Sequence, residues 1–435
     1  MEEQNRNRAL RDHSQRYDLA NELHARPFPT LNVPCHAVYL AIKKPEDAVN
    51  RDRSADRAHL LSLLDRFGAS HPKPGATHFF GDLGRHRIKW ECHTEFSTYT
   101  IFSDGVAARA FDPATFDVFP EDWLAEAPGV RMTSALIRVE QMDASETKAD
   151  VASRLETYFV SESLALSSVL DGSAIIAGDF RIDSAGHMRF AVVASAQTGE
   201  RRLGRIVQRL AEIETYKSMS MLGLPRARGL SRQMGDIDAH LSTLVGQMTA
   251  KLGRPEESLE KLLSISAELE NLMAGATFRF GATGAYEALV VQRVAALRES
   301  RFEGRQTFEE FMTRRFDPAM RTVKSTEERL RAMAERAIRA GDLLRTRVDV
   351  ERQSQNQKLL ASMDQRADLQ LRLQKTVEGL SVVAISYYAV NLVVYTLGPV
   401  SDLVGMSKLW LTGISTPVVL LLVWAVIRRI HRKIE

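Results

Sequence analysis

Two short segments concentrate side chains able to do chemistry. Glu22-Leu23-His24-Ala25-Arg26-Pro27 brings a carboxylate (Glu22), an imidazole (His24) and a guanidinium (Arg26) within five residues. Pro27 biases the residue before it toward extended backbone. The second segment runs from Ile88 to Phe96 (IKWECHTEF). As a strand, its period-two alternation puts Ile88, Trp90, Cys92, Thr94 and Phe96 on one face and Lys89, Glu91, His93 and Glu95 on the other. Glu91, His93 and Glu95 are then a candidate ligand set for a divalent cation, or two carboxylates that bracket His93 and raise its pKa. The structural alternatives are cross-strand ion pairs on an exposed sheet face and, for the first segment, a histidine and an arginine that dock an N-terminal arm onto the sheet.

Other chemistries lack their residues. The chain has no GxxxxGK[ST], no GxGxxG opening a helix, no GxSxG and no HExxH, so nucleotide hydrolysis and serine-hydrolase chemistry are not expected. Gly81-Asp82-Leu83-Gly84 and Gly281-Ala282-Thr283-Gly284 read as turns. Cys35 and Cys92 are the only cysteines in 435 residues, too few for a disulfide framework or a zinc knuckle, and they suit a reducing compartment. The formal net charge of +3 sits in the last eight residues, where Arg428, Arg429, Arg432 and Lys433 face only Glu435. The rest is balanced, which disfavours nucleic acid as a partner. No catalytic residue and no cofactor is assigned, a divalent cation excepted.

The elements that must position these residues fall in two classes. Strand-like runs at Val33–Ile42, Thr77–Leu83 and Arg87–Phe102, with helical patterning at Asp56–Phe67, are followed by a strand at 133–141, a helix at 148–159 and strands at 173–182 and 187–195. Both halves read strand, helix, strand, strand, helix, so an internal pseudo-duplication and an α+β sandwich over residues 1–199 are expected. Helical periodicity then takes over. Arg201–Leu222 repeats Ile206, Leu210, Ile213 and Tyr216 and stops at Gly223-Leu224-Pro225, and 230–252, 255–274 and 283–303 read as further helices. Met219 and Met221 suit core filling. No proline occurs between Pro318 and Pro399. One helix from about Ala319 is expected to carry a stripe of Leu330, Met333, Ala337, Leu344 and Val348, diluted near Gln353–Gln357. Residues 200–378 thus read as a long-helix bundle and stalk.

Two stretches of 19 uncharged residues, Gly379–Leu397 and Leu409–Ile427, close the chain before a basic tail at 428–435. Each spans about 28 Å at roughly 1.5 Å per residue, matching a bilayer's hydrocarbon thickness. The polar first twenty residues do not read as a secretory signal. Basic residues before the first stretch and after the second, against Lys408 alone in the connecting loop, place both termini in the cytoplasm of an inner-membrane, two-span protein. Tyr387, Asn391 and Tyr395 stack on one face of the first span, where a polar stripe must meet protein or water, so a homo-oligomer interface or a pore lining is expected.

ELHARP at Glu22–Pro27, WECHTEF at Trp90–Phe96 and VEGLSVVAISYY at Val377–Tyr388 together resemble, over nearly the whole chain, a proteobacterial family of membrane-anchored proteins known as a domain of unknown function. That resemblance implies a membrane anchor and carries no activity. The plan of an α/β domain, a long helix entering the first of two C-terminal spans and a basic tail is also similar to CorA-type magnesium channels. Those carry Gly-Met-Asn at the outer end of the first span. Here Gly405-Met406-Ser407 keeps two positions and loses the amide, and Gly398-Pro399 intervenes. The expectation is a non-enzymatic, oligomeric scaffold or partner-binding protein on the bilayer, its protein partner unspecified, with a CorA-like divalent-cation channel as the alternative. A third reading is a tethered metal enzyme built on Glu91, His93 and Glu95.

Overall fold

A computed structural model describes residues 12–22, 27–46, 50–250, 254–405 and 407–434. The chain order is α1 (Arg16–Glu22), β1 (Cys35–Lys43), α2 (Arg53–Arg66), β2 (His78–Leu83), β3 (His86–Cys92), β4 (Phe96–Asp104), α3 (Glu121–Ala125), β5 (Val130–Gln141) and α4 (Lys148–Glu156). It continues with β6 (Ala165–Val169), β7 (Ala174–Gly178), β8 (Met188–Ala194), α5 (Glu200–Met221), α6 (Gly223–Thr249), α7 (Pro255–Leu297), β9 (Ser300–Arg301), α8 (Phe308–Arg315), α9 (Asp317–Val404) and α10 (Lys408–Ile434). Two compact units result, Met1–Thr249 with Lys261–Arg339, and Ala250–Glu260 with Ala340–Glu435.

The first unit is built on one nine-stranded sheet, ordered β2-β3-β4-β1-β5-β8-β7-β6-β9. Every strand pair is antiparallel except β5 and β8, which run parallel. The first half is strand, helix and three strands, and so is the second, because the Arg87–Phe102 run folds as two strands and β6 adds one that the alternation does not announce. The orders of the two halves mirror each other across β1 and β5. Their polarity does not, since β1 is antiparallel to β4 while β5 is parallel to β8.

Both faces of the sheet are covered, which is why β1 is apolar along nearly its whole length rather than alternating. On one face Tyr39, Ile137, Phe190 and Val192 pack with Ile206, Leu210 and Ile213 of α5, Val290 and Leu297 of α7, and Phe308 of α8. On the other, Leu40, Trp90, Tyr99 and Val193 pack with Leu60 and Leu64 of α2, Trp123 of α3 and Val151 and Leu155 of α4. This explains why the unit extends past the 199/200 boundary: the periodic stripe of α5 is the lid of the sheet.

Beyond α5 the helices differ from expectation in their breaks. Gly223-Leu224-Pro225 does end α5, yet α6 starts at once, because proline in a first turn lacks only an N–H that has no intrahelical acceptor. Residues 255–274 and 283–303 are not two helices: α7 runs unbroken to Leu297. Its glycines serve close packing in part. A Cβ at Gly275 would lie 2.8 Å from Arg226, and one at Gly223 of α6 would lie 2.5 Å from Thr283. Arg336 of α9 donates to Asp238 (2.9 Å) and Ser242 (2.9 Å) of α6, tying the start of α9 to the same bundle.

In the second unit, Leu344 and Val348 of α9 are buried, whereas Leu359, Met363, Leu369 and Leu373 are exposed. The helix continues through Pro399 to Val404. The expected connecting loop from Gly398 to Lys408 is therefore mostly helix, with α9 ending at Val404 and α10 opening at Lys408. Gly405, at φ 71°, ends α9 in the left-handed conformation that glycine adopts without strain. The apolar stretches of α9 and α10 are both long and apolar enough to cross a membrane.

Candidate functional site

The WECHTEF segment is a hairpin rather than one strand. β3 ends at Cys92, β4 begins at Phe96, and the His93 N–H donates to the Phe96 carbonyl at 2.8 Å. Arg51 holds this turn from beneath. Its guanidinium is buried, pairs with Asp56 of α2 at 2.7 Å, and donates to the carbonyls of His93 (2.6 Å), Thr94 and Phe96 (3.0 Å). A planar cation with five donors suits such a cluster of acceptors. Cys92 lies 3.3 Å from the same guanidinium. Burial pushes its thiol pKa up, as it pushes that of Cys35 to about 12, so neither is an activated nucleophile.

The turn undoes the alternation expected for Glu91, His93 and Glu95. Glu95 is buried, and its carboxylate accepts from Arg279 and from the Tyr286 hydroxyl (3.1 Å) on α7. Burial, then the adjacent Glu95 charge, raise the Tyr286 pKa. Glu91 pairs with Lys89 at 3.4 Å, and the His93 ring stacks on Phe96 at 4.5 Å. Among the described residues no three His, Cys, Asp or Glu side chains are placed to hold a metal ion. Phe96 also changes sides, leaving the face of Trp90 and Cys92 to line a chamber with Lys89 and Glu91.

That chamber is what the fold does assemble. Lys89 and Glu91 of β3, Thr98 and Thr100 of β4 and Tyr39 of β1 meet Gln208 and Glu212 of α5 around a cavity of about 20 Å³, room for one water-sized group. Only 5% of the Lys89 side chain is exposed, and its Nζ has no hydrogen-bond acceptor among the described residues. Gln208 is oriented by its Nε2, which donates to Glu212 at 2.7 Å, leaving a buried Oε1 without a donor among the described residues. Glu212 also receives Arg293 of α7, and the Tyr39 hydroxyl bonds Thr215.

Glu91, His93, Gln208, Glu212 and Tyr216 also line an adjoining cleft of about 430 Å³, closed by Phe28, Arg209 and Arg293. Arg209 donates to the Ala296 carbonyl at 2.9 Å and has no carboxylate within ion-pair distance among the described residues. Burial lowers its pKa, and repulsion from Arg205 adds to this. Of this constellation, sequence reasoning singled out Glu91 and His93 and missed Lys89, Gln208, Arg209, Glu212 and Arg293. The Gln208–Glu212 spacing of four on the flank of the α5 stripe was the available signal.

The remaining expected sites fall elsewhere. Glu22 ends α1, and His24 and Arg26 lie outside the described residues. The arm that follows is seated: Leu31 is buried, its N–H donates to the Glu200 carbonyl (3.3 Å), and Arg87 donates to the Thr30 carbonyl (2.6 Å). On α9, Tyr387 and Tyr395 are exposed and Asn391 is half-buried. Gly405 terminates that helix, Met406 lies outside the described residues, and the Ser407 carbonyl accepts from Trp410 (3.0 Å) to open α10.

A larger, more open cleft of about 860 Å³ holds His36, His86, Asp104, Asp112 and Asp117. Its histidines are engaged, His86 with Ser103 at 2.6 Å and His36 with the Gly105 carbonyl at 2.8 Å. The unsatisfied buried groups favour the Lys89 chamber as the candidate site.

A family model described as "Protein of unknown function (DUF3422)" matches residues 11–434. The chain belongs to the DUF3422 family. No curated protein and no solved structure is similar to it. The DUF3422 match takes in the Lys89 chamber, its cleft and both apolar helices alike, so the family's extent does not single out any one of them.

Proposed function

We propose that this DUF3422 chain is a two-span membrane protein whose C-terminal helix pair anchors the α/β unit to the bilayer, with both termini cytoplasmic, and that it acts as an oligomeric, partner-binding scaffold. One observation carries the anchor. The apolar side chains of both spans point outward, with Val383, Leu392, Leu409 and Trp410 exposed by 69%, 68%, 88% and 71%. Apolar area costs about 25 cal/mol per Å² in water, and a contiguous face of this size belongs in lipid. Arg428 lies 4.9 Å over the Trp424 ring at the basic end of the second span, a pairing suited to the headgroup region. The exposed Tyr387 and Tyr395, with Asn391, supply the face for a second copy.

A channel is the second reading, favoured by the continuity of α9 from Asp317 to Val404. Membranes washed with alkaline carbonate should retain the full chain and release a chain truncated before Gly379; release of the full chain would refute the anchor. In liposomes, Asn391→Leu separates the readings. A pore loses cation flux, whereas a scaffold conducts nothing before or after the change and only its oligomer weakens.

A further inference from the structure

Two buried polar atoms of the Lys89 chamber, the Lys89 Nζ and the Gln208 Oε1, have no hydrogen-bond partner among the described residues. An ammonium has three N–H donors, and Glu91, at 3.4 Å, lies beyond ordinary hydrogen-bond length. Across the cavity the Gln208 Oε1 needs a donor, and its orientation is fixed because the amide nitrogen is committed to Glu212. One group satisfying both must accept from nitrogen and donate to oxygen. A carboxylate or carbonyl would serve Lys89 and leave Gln208 unmet, and an ammonium would do the reverse. A hydroxyl does both, and about 20 Å³ admits a group of that size.

The adjoining cleft selects by charge. Lys89 is offset by Glu91 and Arg293 by Glu212, whereas Arg209 has no carboxylate partner among the described residues and faces a cleft lined also by the Phe28 and Tyr216 rings. A guanidinium so placed favours a carboxylate or phosphate. We propose that chamber and cleft form a binding site for a small hydroxylated anion, whose hydroxyl bridges Lys89 and Gln208 and whose acid group lies against Arg209. The same glycerophosphate chemistry is offered by a free metabolite and by a lipid headgroup, and the site's test distinguishes them.

The full chain in detergent is titrated calorimetrically with glycerol 3-phosphate, with propyl phosphate (no hydroxyl), with glycerol (no acid) and with dihexanoyl phosphatidylglycerol. Saturable binding of glycerol 3-phosphate with Kd below about 1 mM is expected, with propyl phosphate and glycerol at least about tenfold weaker. Arg209→Gln, which leaves the chamber intact, should weaken glycerol 3-phosphate by about tenfold or more while the protein stays folded at the temperature of the titration. Binding of the short lipid without the free phosphate assigns the same site to a headgroup. Equal binding of propyl phosphate would overturn the hydroxyl bridge, and no saturable binding of any of the four would mean that the chamber holds water only and would overturn the proposal.

Discussion

Gly204 shows how one missing side chain seats the segment that carries the N-terminal motif. A Cβ built there would stand 1.7 Å from the Pro29 carbonyl oxygen, so the arm crosses α5 where only glycine lets two backbones approach this closely. Gly204→Ala gains about 1 kcal/mol of helix propensity and forces the arm outward, an overpacking that costs about 1–3 kcal/mol. The expected outcome is a net loss of stability in thermal melts, together with proteolysis near Pro29; a gain would mean the arm does not lie there. The same scale explains what was legible around His93. Residue types marked the segment as chemical, but the turn depends on Arg51, which is more than forty residues away in sequence from the carbonyls it binds. The fate of Glu95 depends on Arg279, further still.

At the scale of elements, periodicity located α2, α4, α5 and the stripe of α9 correctly, and it failed at punctuation. Gly281 and Gly284 read as a break because glycine is costly within a helix, yet α7 passes through both, since burial of Ala276, Phe280 and Val290 along it outweighs that cost. At neither glycine would an added Cβ meet a heavy atom within 4 Å, and neither has positive φ. Alanine at either site should therefore stabilise the protein by about 0.5–1 kcal/mol. Denaturant midpoints of Gly281→Ala and Gly284→Ala measure this, and destabilisation would restore the two-helix reading. Pro399 misled in the same way, because a helix in an apolar stretch tolerates a proline that would end one elsewhere.

For the molecule as a whole, the covered sheet sets a pH dependence. His59 is buried against Trp123, its Nδ1 3.0 Å from the Tyr99 hydroxyl and its Nε2 3.0 Å from the Trp123 carbonyl, which as an acceptor requires the proton on Nε2. Burial lowers its pKa, and it lowers those of His86 and His187. A histidine depressed in the folded state binds its proton more readily when unfolded. Its stabilising contribution is complete above the ordinary value of 6.5 and is lost as pH falls below it. Glu299, raised by burial, acts in the opposite sense, but nearer the carboxylate range. Denaturation followed by tryptophan emission should give a lower midpoint at pH about 5.5 than at about 7.5; an unchanged midpoint would contradict neutral buried histidines.

Elements whose signal is local could be read from the residues alone. Strands, helices and two long apolar helices follow from alternation, periodicity and uncharged length, because each is imposed by a backbone repeat and a solvent boundary that neighbouring residues register together. The tertiary structure alone decided the candidate site. Lys89 and Gln208 carry no motif and stand 119 positions apart in number. They meet around one cavity only because α5 closes over β3 and β4 and takes both side chains out of bulk solvent.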